Sequence, residues 1–174
     1  MTKRNVMISI LSSRLEYAHS LFEEDDEEGE NEAAEPMPLL SEMPEPTELL
    51  VEGRLVTGKD RVELVYEESE MSGMAGAVTS IGFDRTTPGL ITMVRSGIVE
   101  TAMCFEEGKR HFSVYDTPFS SFQICVRGVK VRNLLLQNGT VELEYLIEIH
   151  GAQAERCRMT ISAHSVDELF STEA

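Results

Sequence analysis

TVELEYLIEIHGAQAERCRMTISAH, residues 140–164, alternates so strictly that it decides the fold class. Val141, Leu143, Tyr145, Ile147 and Ile149 share one face, and Glu142, Glu144 and Glu148 share the other. The following segment repeats the pattern, with Cys157, Met159 and Ile161 on one face and Arg156, Arg158 and Thr160 opposite. A period of two places successive side chains on opposite faces of a strand. Asn138-Gly139 and His150-Gly151 punctuate the two runs, as hairpin turns require. The reading is an antiparallel ribbon with one apolar face and one face on which arginines meet glutamates, each such pair contributing tenths of a kcal/mol. The outward glutamates are expected to be solvated.

Working outward, the same signal recurs along the chain. Strands are predicted near 5–15, 48–58, 61–70, 76–84, 89–95, 98–106, 110–116, 121–128, 129–137, 140–150 and 155–164. Turn residues fall every eight to twelve positions, the spacing of a sandwich or barrel. A helix is expected at most as one turn in SVDELF, residues 165–170. With so little helix to cover an open sheet, closure is the economical way to remove exposed sheet edges. The predicted architecture is therefore all-β, an antiparallel up-and-down barrel of about eight to ten strands, with a two-sheet sandwich as the alternative. Tyr66, Phe83, Phe105, Phe112, Tyr115, Phe119, Phe122 and Tyr145 are numerous enough to fill such a barrel, or to leave room for one small ligand.

Composition narrows the function classes. The chain has 174 residues and a net charge of −16, enough for one domain. Twelve acidic side chains and four prolines lie between residues 23 and 48, without one Lys or Arg. The rest of the chain holds 19 acidic and 15 basic residues. The acidity thus belongs to one segment, which cannot bury enough apolar surface to offset its ordering entropy. It is read as a flexible insertion, residues 21–47, after the first strand of a single domain spanning 1–174, with a tail at 165–174. Its short apolar pieces, Met37, Leu39, Leu40 and Met43, offer contacts to a protein partner. No basic stripe suits nucleic acid. No apolar run approaches the roughly 18 residues of a membrane helix. Lys3 and Arg4 precede only a short apolar stretch broken by Ser9, so export is not expected and the chain is placed in the cytoplasm.

Candidate chemistry is sparse. Cys104, Cys125 and Cys157 lack paired spacing and read as reduced thiols; with His111, His150 and His164 they show no metal-ligand spacing. No nucleophile elbow and no phosphate loop occur. No cofactor is expected, and the chain is read as non-enzymatic. ITMVRSGIVETAMCF, residues 91–105, forms a hairpin with Arg95 at the bend. A guanidinium there clamps an anionic or polar head group, or else pairs with a glutamate such as Glu67 or Glu68. Alternation leaves its face undecided, because both faces of that strand carry apolar residues. Arg95, Tyr66 and Tyr115 are the candidate polar contacts to a ligand. His111 joins them from the Lys109–His111 basic cluster, which reads equally as a solvated loop balanced by Glu106 and Glu107. Met71 and Met74 in MSGMAGA, residues 71–77, fit an adaptable apolar entrance or simple gap filling.

Several segments carry a family resemblance. GRLVTGKDRVELVYEESE, GAVTSIGFD, LITMVRSGIVETAMCFEEGKRHFSVYDTPFSSFQI, ELEYLIEI and RMTISAH, with VMISIL at the first strand, resemble the YwiB-like family of bacterial proteins. Its most specific pieces are the M-x-R-S-G hairpin at Met93–Gly97, FEEGKRH and YDTPF. The resemblance implies a calycin, lipocalin-like barrel and brings no reaction or catalytic residue with it. Lipocalins proper carry G-x-W near their first strand; here Gly53 is followed by Arg54 and Leu55, and the chain has no tryptophan. Two functions follow as expectations. The barrel takes a small amphipathic or anionic ligand in its mouth or interior, or a filled barrel binds another protein through its outer face or acidic loop.

Overall fold

The structure is a computed structural model that describes residues 1–17, 19–22 and 43–167. Most of the acidic insertion and the end of the tail lie outside the described residues. Ten strands follow one another: β1 (Thr2–Glu16), β2 (Thr47–Thr57), β3 (Arg61–Glu67), β4 (Val78–Asp84), β5 (Ile91–Ser96), β6 (Glu100–Phe105), β7 (Arg110–Asp116), β8 (Ser121–Leu134), β9 (Thr140–Ile149) and β10 (Glu155–Ser165). Each pairs antiparallel with its neighbour in sequence, and β1 pairs with β10 as well as β2, so the sheet closes. Val6 lies between Gly53 and Ser165, and Ile10 between Leu49 and Ile161. That closure excludes the sandwich.

Alternation along each strand sends one set of side chains inward. Val6, Ile8 and Ile10 of β1 meet Leu64 of β3, Ile81 and Phe83 of β4, Ile91 and Met93 of β5, and Leu143 and Tyr145 of β9 in one core. Phe105 and Tyr145 pack within it, ring centroids 4.7 Å apart and planes tilted by 58°. The centre of the barrel is thus occupied by packed side chains.

The sequence misplaces one element. The two strands predicted at 121–128 and 129–137 are a single strand, β8, bent at an irregularity between Gly128 and Lys130. A one-turn helix, α1 (Leu135–Asn138), then closes on Gly139, whose φ of 78° suits glycine. Gly128 lets a neighbouring turn approach. β6 and β7 pair only at Glu100–Asp116 and Thr101–Tyr115. Beyond that point the Glu106–Lys109 turn leans on β8 instead, with Gly108 N–H donating to Gly128 O (2.9 Å) and Gly128 N–H to Lys109 O (3.1 Å). The strand predicted over 61–70 is shorter than expected: β3 stops at Glu67, and a 3-10 turn, Glu70–Ser72, follows. The helical turn expected after residue 165 begins at Val166 and Asp167, and its remainder lies outside the described residues.

Up-and-down connectivity sorts the loops into two ends. The connections 17–46, 68–77, 97–99, 117–120 and 150–154 share one end, here the insertion end. The connections 58–60, 85–90, 106–109 and 135–139 share the other.

Candidate functional site

Arg95 faces inward. It shares the β5 face of Ile91 and Met93, both buried, and its Nε donates to the Thr79 hydroxyl at 3.2 Å. Its Nη2 forms an ion pair with Glu68 Oε1 at 3.4 Å and lies 3.8 Å from the Met93 sulfur. The Thr79 hydroxyl in turn donates to Glu68 Oε1 at 2.6 Å. Glu68 is buried just past the end of β3. A buried carboxylate needs such partners, since removing a charge from water costs several kcal/mol unless it is paired. The arginine of the hairpin therefore pairs with one of the two glutamates anticipated for it.

Register extends this cluster into a row. Gly53 lies opposite Tyr66, Tyr66 opposite Thr79, Thr79 opposite Arg95, Arg95 opposite Thr101, and Thr101 opposite Tyr115. Directly opposed residues point to the same face, so the row runs along the inner wall near the insertion end. Three of the four candidate residues, Tyr66, Arg95 and Tyr115, lie on it. Tyr66 is buried on this row, and burial followed by the Glu68 charge raises its pKa above the usual phenol range, with Arg95 pulling the other way. Tyr115 is half-buried against the core.

His111 does not join them. It stands four residues from Tyr115, toward the opposite end of β7, with Nε2 3.2 Å from Glu106 Oε2. Lys109 Nζ takes the other oxygen at 2.7 Å. The Lys109 hydrogen bond, helped by His111, holds the Glu106 carboxyl below the usual carboxylate range. Of the two carboxylates anticipated to balance this cluster, Glu106 pairs with Lys109 and His111, whereas Glu107 accepts from the Val131 N–H and Arg110 turns to the Leu21 carbonyl.

Two features escape the sequence reading. The first is Arg14, opposite Cys157 in the β1–β10 ladder and so on the inner face, at the insertion end. It lies 3.7 Å from Glu155. Its even-numbered spacing from Val6, Ile8 and Ile10 is the signal that could have found it. Tyr145 is buried in the core; burial, followed by the neighbouring Cys157, raises its pKa, while Arg14 and Arg95 both pull it down.

The second is outside the barrel. Leu21, expected within the flexible insertion, is fully buried against Cys125, Leu146 and Ala154 on the outer wall. Its N–H donates to the Glu148 carboxylate, and its carbonyl accepts from Arg110 Nη1 at 2.8 Å. Phe22 packs on Phe112 and His150. Glu148 and Glu144 are consequently buried rather than solvated, Glu144 through its ion pair with Arg156. The arginine–glutamate match across β9 and β10 stands. Leu146, the one apolar residue on the glutamate face of β9, marks the docking position.

The insertion end is rimmed by apolar tips. Phe119 is 96% exposed, Met71 83% and Ile98 55%, each at the tip of one of three hairpins that follow one another around this end. Exposure at that level rules out gap filling for Met71. Two buried hydroxyls have no hydrogen-bond partner among the described residues, Ser69 and Thr101, and both lie at this end.

Comparison with known proteins places this architecture. A family model described as a domain of unknown function (DUF1934) matches residues 40–161. The crystal structure of the ywiB protein from Bacillus subtilis superposes with a TM-score of 0.68 at 15% identity, covering 94% of this chain and 92% of that one. No curated protein matches the chain. At that identity the structural likeness speaks for the barrel and leaves its use open.

Proposed function

The chain belongs to the DUF1934 family, and from that premise and the geometry of its inner wall we propose that it is a non-enzymatic module binding a small amphipathic ligand at the insertion end of the barrel. The observation that carries the reading is the row Tyr66–Thr79–Arg95–Thr101–Tyr115. It sets hydroxyls and one guanidinium just inside a rim of apolar hairpin tips. Ligand sites combine apolar lining with a few convergent polar groups, and this end has both. The packed centre confines the ligand to the mouth. Burial of its apolar part on Met71, Ile98 and Phe119 supplies affinity, and hydrogen bonds from the row orient its head.

The reading is tested by native mass spectrometry of the purified full chain for co-purified small molecules, with a titration by the neutral probe N-phenyl-1-naphthylamine. Saturable binding is expected, abolished by Thr101→Phe, which fills the mouth. Absence of both a bound mass and saturable fluorescence overturns it.

The outer wall favours a second reading. Leu21 and Phe22 tie the start of the acidic insertion to β8 and β9, which suits capture of a basic protein partner along that wall. Such capture is expected to be salt-sensitive and to be lost on deleting residues 23–42.

A further inference from the structure

Of the two ligand classes expected from the sequence, amphipathic and anionic, the mouth discriminates against the second. We propose that it selects an uncharged head group bearing a hydrogen-bond-accepting oxygen, such as a carboxamide, over a carboxylate. This rests on the mouth-binding reading above.

Charge count comes first. The ionisable side chains that register places on the inner face at the insertion end are Arg14, Arg95, Glu16, Glu68 and Glu155. Arg14 lies opposite Cys157 and Glu16 opposite Glu155, both on the inward parity of β1 and β10. Of these, only Arg95 and Glu68 are largely buried, and they cancel; Arg14, Glu16 and Glu155 stand in solvent at the rim. Each arginine already has a carboxylate partner, Glu155 at 3.7 Å and Glu68 at 3.4 Å. An incoming charged head of either sign therefore gives up its hydration and finds no uncompensated charge among the buried groups.

The available hydrogen-bonding groups come second, and they are donors. Arg95 commits Nε to Thr79 and Nη2 to Glu68, while its Nη1 has no partner among the described residues and its side chain keeps 13% exposure. Thr101, directly opposite Arg95, is buried with its hydroxyl unpartnered among the described residues. An unpaired buried hydroxyl is unfavourable, and a ligand acceptor satisfies it. Glu68 does not serve as acceptor for a cationic head, because the Thr79 hydroxyl and Arg95 already occupy it. Donors without net positive charge fit a neutral acceptor.

The test displaces N-phenyl-1-naphthylamine from the full-length protein with three ligands of equal tail, octanamide, octanoate and octylammonium, at pH 7 and low salt. Octanamide is expected to bind about tenfold more tightly than octanoate. Glu68→Gln, which removes one carboxylate from the mouth, is expected to bring octanoate level with octanamide or ahead of it. Thr101→Val, which removes one hydroxyl and no charge, weakens octanamide about fivefold, and an unchanged octanamide affinity overturns the assignment of that donor; it serves also if Glu68→Gln does not fold. Octanoate or octylammonium binding most tightly to the wild type overturns the neutral-head inference and leaves the mouth-binding reading standing. Failure of all three to displace the probe overturns both.

Discussion

Substituting Gly128 by alanine tests how the barrel wall is sealed between β6 and β8. A Cβ at this position would stand 2.6 Å from the Glu106 carbonyl carbon and 3.1 Å from its nitrogen. Both are backbone atoms, so no side-chain rotation relieves the clash. Gly128 does not have a positive φ, and the cost is therefore steric rather than conformational. Overpacking of this kind costs about 1–3 kcal/mol. Pushing the Glu106–Lys109 turn away also breaks the two hydrogen bonds joining it to Gly128, each contributing about 0.5–1.5 kcal/mol. We expect Gly128→Ala to lose about 3 kcal/mol in urea unfolding with an unchanged m value, and to lower Tm by roughly 6–12 °C. Gly89→Ala is the control. Nothing lies within 4 Å of its Cβ and its φ is not positive, so it should be neutral or stabilise by about 0.4–1 kcal/mol. A Gly128→Ala protein within about 0.5 kcal/mol of wild type would refute the account of the seam.

Leu21→Asp should unseat the docked segment and uncover Cys125, whose sulfur lies 3.9 Å from the Leu21 carbonyl. The expected reading is a Cys125 reaction with a thiol reagent at least about tenfold faster than in wild type, while an unchanged rate would show that the wall is covered by something other than this contact. Alkaline pH should weaken the fold through Cys157. Burial pushes its thiol up to about 11 from an ordinary value near 9, so the unfolded chain ionises first. The Cys157 contribution is then full below about pH 9 and falls by about 2 kcal/mol as pH approaches 11; Cys157→Ala should make that limb shallower, leaving the share of buried Tyr66 and Tyr145, whose raised pKa values act in the same direction, and an equal slope in both proteins would exclude this thiol as a cause.

What the sequence makes legible is governed by alternation. Strands with one apolar face, such as β9 and β10, announce both their extent and their inward side. β5 does not, because Val94 on its outer face is as apolar as Met93 on its inner one, and only its partner strands place Arg95. β8 reads as two strands because Gly128 and Val129 interrupt the alternation, and a glycine that admits a neighbouring turn looks the same in sequence as one that ends a strand. Leu21 escapes for a different reason: burial on the outside of a barrel depends on a contact between residues 127 positions apart, Leu21 and Glu148, which no local pattern encodes. The site follows the same logic. Residue type singles out Arg95, Tyr66 and Tyr115, but their membership of one row depends on successive registers from β3 to β7.

β1 is held by β2 on one edge and by β10 on the other, and the second ladder joins Val6 to Ser165. During synthesis β1 therefore waits, with one margin unsatisfied, until β10 has left the ribosome. Pairings of such long range are slow to form and leave sticky edges in the meantime. Lys3 and Arg4 at the start of that ribbon, and the carboxylates that separate it from the next, supply charge where a nascent chain most needs protection from its neighbours.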